Sequence, residues 1–284
     1  MAWLDYTTKF AYSFNGEISV DDTYIYGTVG SGTNTVKKLN KTSPYGLVFT
    51  YNLFTNDGEY ASTIDDTHLY AGYGGNINIV QFLKSNGSII GNTEGIDPSR
   101  IKSLAVDSTY IYVIRSTSNF VKMYRKTTPW DLIASFGISG SSDGQFTAPQ
   151  GVAVDDNFIY VTDVTANRIQ KFNKSTRAFV NKFSIVTPVK IMVDNNYIYV
   201  TTQDNYVKVF NKITYDLVTS FGGTGTGNGK FTNPIGIAIN SNLLYVNDSG
   251  NNRVQIFNGQ SFIYSQLERG TRGLNRGVFQ GGSF

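Results

Sequence analysis

One spacing, an acid or amide followed five residues later by tyrosine, recurs six times along the chain at intervals of 39 to 48 residues. The six pairs are Asp21/Tyr26, Asp65/Tyr70, Asp107/Tyr112, Asp155/Tyr160, Asp194/Tyr199 and Asn240/Tyr245. The residue before each acid or amide is valine or isoleucine, and the residue before that is mostly small. Such periodicity predicts a repeat fold in which neighbouring units bury their apolar faces against each other.

Each unit has the pattern of four short strands. Small residues before the turn acid are typical of a strand crowded near the axis of a radial array. Asp and Asn favour the turn because their side chains can hydrogen-bond their own downstream backbone. Alternating segments follow, for example "FIYV" (158–161) as a second strand, "VKVF" (207–210) as a third and "LVTSF" (217–221) as a fourth. Four antiparallel strands in each of six units, without helical periodicity, predict an all-β, six-bladed β-propeller.

The same pattern places the units along the chain. We expect a single domain over residues 1–284. The blade units are predicted near 17–53, 61–91, 103–136, 151–183, 190–221 and 236–266, followed by a C-terminal tail at 267–284.

Two of the units are close copies. Residues 136–173 align without a gap with residues 221–258. Their shared frame has Phe-Gly, a Gly-rich connector, Gly-x-Phe, Pro, Gly-[IV]-Ala, Tyr-Val, Asp, Asn-Arg and Gln-x-Phe, and it closely resembles the NHL repeat. The other four units keep the strand pattern but lose Asn-Arg and most connector glycines. The resemblance implies a propeller over nearly the whole chain and less about activity, because NHL-like propellers include lyases, lactonases, RNA binders, sensor domains and adhesive modules.

The two chain ends carry one fourth strand too many. "KFAYSFNG" (9–16) and "SFIYSQ" (261–266) both resemble fourth strands, so seven such segments accompany six first strands. We predict that the N-terminal strand closes the ring against the sixth blade. The C-terminal segment, followed by glycines spaced as in a connector (270–279), is then displaced or donated to a partner, although the reverse arrangement is open.

The composition limits the classes of partner and of site that the chain can have. The net charge is only +3 and charged residues make up 16%, so strong electrostatic capture of nucleic acid is not expected. The absence of cysteine excludes disulfides, thiolate metal sites and a cysteine nucleophile. We expect no Sec-type signal peptide and no membrane insertion, because the start "MAWLDYTTKFAYSF" lacks a basic, then apolar pattern and no apolar run has spanning length. The expected location is a virion or the cytoplasm.

Candidate catalytic and metal residues are few. Lactonase-like propellers hold calcium with carboxylates and amides in the axial channel, and lyase-like members bind zinc through several histidines. The positions predicted for the channel mouth are Glu17, Ala61, Ser103, Gly151, Lys190 and Gly236. Only Glu17 and Lys190 among them are ionisable, and their charges are opposite. His68, the only histidine, occupies a slot that is aromatic in four other units, which favours a structural role. We therefore predict no enzyme activity, no metal and no cofactor.

The turn between the second and third strands is the leading candidate for an interaction face. Asp163 with Arg168 and Asp248 with Arg253 occupy equivalent places there, where they can fix the loop. Asn167 and Asn252 lie beside them, and the Gly-rich connectors emerge on the same face. These glycines do not indicate a phosphate loop, because such a loop opens a helix.

The function favoured by these features is a non-enzymatic platform in a larger assembly, such as a virus tail, fibre or capsid surface. Its expected partners are other proteins of that assembly, a glycan, or a second copy bound through the spare strand. The alternative is an intracellular NHL-type module that binds protein or RNA, and a lactonase- or lyase-like enzyme ranks third. RNA would need a basic face, for which the candidates are Lys122, Arg125, Lys126, Arg168, Lys171, Lys174 and Arg253.

Overall fold

The computed structural model describes residues 6–12, 14–29, 35–53, 61–72, 77–94, 100–127 and 130–258. Over these residues the chain forms six four-stranded antiparallel sheets arranged as blades, with a single 3-10 turn at Ser249–Asn251. The predicted all-β, six-bladed propeller is confirmed.

The strands fall into four positions in the blades. The innermost strands are β2 (Ile18–Val20), β6 (Ala61–Ile64), β10 (Ile101–Val106), β14 (Pro149–Val154), β18 (Pro188–Val193) and β22 (Pro234–Asn240). The second strands are β3 (Tyr24–Val29), β7 (His68–Gly72), β11 (Tyr110–Arg115), β15 (Phe158–Asp163), β19 (Tyr197–Thr202) and β23 (Leu243–Asp248). The third strands are β4 (Thr35–Asn40), β8 (Ile77–Leu83), β12 (Val121–Arg125), β16 (Arg168–Asn173), β20 (Tyr206–Asn211) and β24 (Arg253–Asn258). The outer strands are β1 (Tyr6–Ala11), β5 (Leu47–Asn52), β9 (Ile89–Glu94), β13 (Leu132–Phe136), β17 (Phe179–Ser184) and β21 (Leu217–Gly222).

The N-terminal strand closes the ring, as predicted. β1 pairs antiparallel with β24, so the sixth blade has the order β1-β24-β23-β22. Phe10 stands opposite Val254, in the place where β21 sets Phe221 opposite Val207. Residues 261–266 and the tail 267–284 lie outside the described residues.

The hydrophobic core is divided among the six interfaces between neighbouring blades. At the interface of the fifth and sixth blades, for example, Val207 packs with Leu244 and Phe257. The tyrosines of the six repeated pairs are all buried in these interfaces: Tyr26, Tyr70, Tyr112, Tyr160, Tyr199 and Tyr245. Burial of several large side chains at every interface gives the ring most of its stability.

The Phe-Gly step of the two close copies makes room for a second aromatic ring. Phe146 is fully buried between the third and fourth blades and packs against Phe136 and Phe172. A Cβ at Gly137 would lie 2.3 Å from the Phe146 ring, and Gly137 has φ +82°, which favours glycine. Glycine is therefore required where each connector turns back over the core.

The strand directions define two faces. The turn face carries the hairpins between first and second strands and between third and fourth strands. The connector face carries the turns between second and third strands, such as 164–167 and 249–252, and the connectors 137–148 and 223–233. An axial channel with a cavity of about 220 Å³ runs between the innermost strands.

Candidate functional site: connector face and axial channel

The predicted pair Asp163 and Arg168 forms a buried clasp under the connector. Asp163 is fully buried and lies 3.3 Å from the Arg168 guanidinium. Arg168 donates to the carbonyl oxygens of Ser141 and Gln145, both at 2.7 Å, while Asp163 accepts from the backbone N–H of Ala148 at 2.8 Å. The charged pair thus supplies donors and acceptors to a connector that has no regular strand partner.

Asp248 and Arg253 build the same clasp in the sixth blade. Arg253 Nε lies 2.7 Å from Asp248 Oδ2, and its Nη atoms donate to the carbonyl oxygens of Thr226, Gly227 and Lys230 at 2.7 to 2.8 Å. Asp248 is fully buried. Charge-assisted bonds of this kind are about twice as strong as neutral ones, so the clasps hold two Gly-rich connectors in fixed conformations.

Burial changes the role of four of the six residues predicted for the interaction face. Asp163, Arg168, Asp248 and Arg253 lie inside the molecule and cannot contact a partner directly. Asn167 and Asn252 are exposed, both with φ of 52°, a conformation that asparagine tolerates. The face therefore presents asparagines and connector backbone rather than charged side chains, and its binding of a partner stays a prediction.

The connector face also exposes apolar side chains. Ile138 is 62% exposed and Val186 is 57% exposed, and both lie in connectors beside the asparagine turns. Asn167 accepts a hydrogen bond at 2.8 Å from the backbone N–H of Thr187, which ties one asparagine turn to the connector of the next blade. Fixed backbone with exposed aliphatic and amide groups is a surface suited to contact with another protein.

A family model of the NHL repeat matches residues 146–172 and 231–257. Each matched stretch contains one buried clasp, and both lie in a ring of six four-stranded blades. The chain belongs to the NHL-repeat β-propellers. No curated protein matches it. Its family suggests a module for protein interaction.

A polar network closes the axial channel of the NHL propeller near the connector face. Glu17 Oε1 lies 3.0 Å from Lys190 Nζ and accepts a hydrogen bond of 2.6 Å from Ser103 Oγ. Ser103 Oγ in turn accepts from the backbone N–H of Val152 at 3.1 Å, and Lys190 also donates to the carbonyl oxygen of Lys102. This network, the channel plug, joins the first, third, fourth and fifth blades.

The rest of the channel is mostly apolar. Its wall near the turn face is formed by the β-branched residues that precede each turn acid or amide: Val20, Ile64, Val106, Val154, Val193 and Ile239. Of the residues lining this cavity, Glu17 and Lys190 alone are ionisable, and they neutralise each other. The described residues contain no group of three or more side chains suited to hold a metal ion.

A second set of ion pairs, the blade links, lies on the turn face and was missed by the sequence interpretation. Each link joins the turn aspartate of one blade to a lysine of the next blade: Asp21 to Lys84 (2.7 Å), Asp65 to Lys126 (2.6 Å), Asp107 to Lys174 (3.2 Å) and Asp155 to Lys212 (3.2 Å). The signal was present, because lysine recurs 18 to 20 residues after the turn acid at Lys41, Lys84, Lys126, Lys174 and Lys212. The aspartate that pairs with each lysine could not be identified from the sequence pattern, because it belongs to the preceding repeat.

The turn aspartates also organise their own hairpins. Asp65 Oδ1 accepts from the backbone N–H groups of Thr67 and His68, and Oδ2 accepts from Tyr70 Oη at 2.8 Å. Burial, together with the hydrogen bond and charge of Asp65, raises the pKa of Tyr70, so its hydroxyl stays protonated and donates. In the five blades with a turn aspartate, the five-residue spacing thus reflects a hydrogen bond from the tyrosine hydroxyl of the second strand to the turn carboxylate.

The blade links hold the aspartates in the ionised form. Burial by itself would raise the pKa of the Asp65 carboxyl, but hydrogen bonds from Lys126 and from the backbone of the turn outweigh it, and the net pKa lies below its usual range. The pKa values of Asp21, Asp107 and Asp155 are lowered by the same balance of burial against hydrogen bonds.

These lowered pKa values predict acid sensitivity. A carboxylate whose folded pKa is depressed contributes stability above its unfolded pKa of about 4, and this stability is lost as the pH falls toward the folded pKa. Asp65→Asn should therefore lower the free energy of unfolding at neutral pH, and its difference from the wild type should shrink below about pH 4. Urea unfolding across that pH range measures both. Asp66→Asn, at the exposed neighbouring position, is the control, and an Asp65→Asn difference that does not change with pH would contradict the prediction.

His68 lies at the start of β7, in the slot that Tyr24 and Tyr110 occupy in their own blades. Its Nδ1 is 2.8 Å from Thr67 Oγ1, and its ring lies 6.1 Å from the Tyr70 ring. These contacts fit the structural role predicted for it.

Most of the cations considered for RNA binding are engaged within the fold. Lys126 and Lys174 belong to blade links, and Arg168 and Arg253 belong to the buried clasps. Lys171 Nζ lies 3.7 Å from the centre of the Phe158 ring. They therefore do not form a free basic face. In the part of the chain that the structure describes, no helix has the length and hydropathy of a membrane span.

Proposed function

We propose that this NHL propeller is a non-enzymatic platform that binds other proteins through its connector face. The observation that carries the proposal is the pair of buried clasps, which fix Gly-rich connectors so that Ile138, Asn167 and Asn252 are exposed on a rigid surface. A surface that is already ordered loses little conformational entropy on binding, and so more of its contact energy appears as affinity.

The partner surface we expect is nearly uncharged. The charged side chains of the two connectors, Asp143 and Lys230, are engaged locally: Asp143 pairs with Lys182, and Lys230 donates to the carbonyl oxygen of Gly222 at 2.9 Å. Recognition would rest on aliphatic contacts and on hydrogen bonds to amides, hydroxyls and backbone. A protein partner can make both kinds of contact, whereas a glycan would use mainly the hydrogen bonds.

The channel plug supports the non-enzymatic part of the proposal. A lactonase- or lyase-like reaction would need several carboxylates or histidines directed at one point. Here the channel cavity has one carboxylate, Glu17, and it is already bound to Lys190 and Ser103. The groups at the plug satisfy each other and leave no free acid and base pair.

Membership of a larger assembly, such as a virus tail, fibre or capsid surface, is the finer part of the proposal. The outer strands expose large apolar side chains, which are concentrated on the first two blades: Leu47, Val48, Phe49, Ile89 and Ile90. β1 fills the outer position of the sixth blade, which the proposed donation of a C-terminal segment to a second copy or to another assembly protein requires.

A photo-crosslinking residue in place of Ile138 tests the connector face. Ile213, 84% exposed on a turn-face hairpin, is the matched control because it is also an exposed isoleucine. In extracts of the native source, the Ile138 position should give a discrete crosslinked protein that the Ile213 position does not give. In a second protein the crosslinking residue replaces exposed Asn167, where it should give the same crosslinked protein, and adding Ile138→Glu to this second protein should abolish the product. The same product from both faces, or none from Ile138, would overturn the proposal.

A further inference from the structure

The seam of the ring, where the sixth blade meets the first, has its own version of the blade links. In the four blade links a lysine reaches the turn aspartate of the preceding blade, as Lys126 reaches Asp65 at 2.6 Å. At the seam the corresponding lysine is Lys41, and the turn residue of the preceding blade is Asn240. Lys41 Nζ donates a hydrogen bond to Asn240 Oδ1. The seam link therefore joins a lysine to a carboxamide, whereas each blade link joins a lysine to a carboxylate.

Further hydrogen bonds hold the two side chains of the seam link in place. Lys41 Nζ also donates to the backbone carbonyl oxygens of Asp21 at 3.1 Å and of Asp22 at 3.4 Å. Asn240 Nδ2 donates to Asp22 Oδ1 at 3.0 Å. Lys41 and Asn240 are half-buried, and Asp22 is exposed. The oxygen of the amide therefore faces an amine, and its nitrogen faces a carboxylate.

A carboxamide and a carboxylate differ in their reactivity toward an amine. The negative charge of a carboxylate repels a nucleophile, and the group has no good leaving atom. The carbonyl carbon of an amide can be attacked by a lysine amine, and its nitrogen can then leave as ammonia. A carboxylate in contact with that nitrogen can carry the proton that it needs to leave. The seam link holds these three groups together, and the four blade links lack the reactive carbonyl carbon.

We propose that Lys41 and Asn240 form an intramolecular isopeptide bond, with Asp22 as the proton-transfer group. Lys41 first gives one proton to solvent, and its Nζ then forms a bond to Asn240 Cγ. A second proton passes from Nζ through the Asp22 carboxylate to Nδ2. The bond from Cγ to Nδ2 breaks, and the nitrogen leaves as ammonia, which takes up a proton from solvent. One amide replaces another, so the step needs no oxidant, cofactor or co-reactant.

This bond closes the ring covalently at its seam. The blades are otherwise held together there by packing, for example by the stack of Phe10 on Tyr45 with ring centres 4.5 Å apart. Lys41 and Asn240 are 199 positions apart in sequence. A cross-link over such a distance stabilises a fold mainly by restricting the unfolded chain. It uses no residue of the connector face, so it is independent of the proposed function.

Mass spectrometry of the purified full chain tests the isopeptide bond. After incubation at neutral pH until the mass no longer changes, the intact protein should be lighter than its calculated mass by one ammonia. A tryptic digest should contain a branched peptide that joins the segment around Lys41 to the segment around Asn240, without cleavage after Lys41. The calculated mass together with separate Lys41 and Asn240 peptides would overturn the proposal.

Asn240→Asp is the matched control for the carboxamide. It converts the seam link into the lysine–aspartate pair of the four blade links, and it is expected to fold because aspartate occupies the equivalent place in the other five blades. This variant should keep its calculated mass and give no branched peptide. A branched peptide of the same two segments from Asn240→Asp would contradict the requirement for an amide.

Lys41→Arg separates the isopeptide bond from cyclisation of Asn240 on its own backbone, which also releases ammonia. The guanidinium keeps the positive charge but is not a nucleophile at neutral pH, so this variant should retain its full mass. Asp22→Asn should slow the loss of ammonia by about 100-fold, because it removes the proton-transfer group. Loss of ammonia from Lys41→Arg at the wild-type rate would overturn the proposal, and an unchanged rate in Asp22→Asn would overturn the role of Asp22.

Discussion

Lys190→Met should lower the free energy of unfolding by about 3 kcal/mol, because it leaves Glu17 buried in the channel without its counter-ion. Both side chains are only 12% exposed, so water cannot fully replace the lost partner. The hydrogen bond from Ser103 remains but carries no charge to balance the carboxylate. Urea unfolding at neutral pH measures the loss.

A double-mutant cycle separates the ion pair from the packing of the two side chains. Glu17→Gln together with Lys190→Met should recover a large part of the lost stability, since no unpaired charge is then left inside the channel. The control is Lys182→Met, which breaks the exposed pair with Asp143 and should cost less than about 1 kcal/mol. Equal losses for Lys190→Met and Lys182→Met would show that the plug does not stabilise the ring.

Asp248→Ala should cost about 3 to 5 kcal/mol and release the connector over 223–231. Asp248 is fully buried and accepts from the Thr232 backbone, Asn251, Arg253 and Gln255. Its removal leaves the Arg253 guanidinium buried without an anion. Arg253, which donates hydrogen bonds to the carbonyl oxygens of the connector, then loses the carboxylate that orients it. Urea unfolding and amide hydrogen exchange in the connector measure the two effects.

The two close copies make this prediction sharper. Asp163→Ala removes the corresponding clasp and should give a similar loss, with faster exchange confined to 138–146 rather than 223–231. Asp216→Ala, at an exposed hairpin position, should change stability by less than about 0.5 kcal/mol. Faster exchange spread evenly over both connectors in either variant would contradict the assignment of one clasp to one connector.

The fold could be predicted because its signals are local. The turn acid, the tyrosine five residues later and the valine or isoleucine before the turn each report on one hairpin, and six copies gave the number of blades. The choice of the N-terminal strand for ring closure also had a local basis, the likeness of 9–16 to 216–223, which matches Phe14 with Phe221. The strand was right but its register was wrong by four residues, because Phe10 takes the place that Phe221 has in β21. Strand pairing within a blade depends on residues that are close in sequence, so sequence patterns can predict it.

The candidate site could be predicted only in part. The pairing of Asp163 with Arg168 was evident from their place around one turn, but their burial depends on a connector that folds back over them. Lysines such as Lys126 and Lys174 appeared free in the sequence because their aspartates belong to the preceding blade. The surface that remains for a partner is therefore amide and aliphatic rather than charged.

The strands, the hairpins and the six repeats follow from the amino-acid sequence, because each depends on spacing within one unit. Which charged side chains meet depends on how the blades are arranged in the ring. Glu17 and Ser103 are 86 positions apart, and Lys41 and Asn240 are 199 positions apart, yet each pair is in hydrogen-bond contact. Closure of the ring sets these distances.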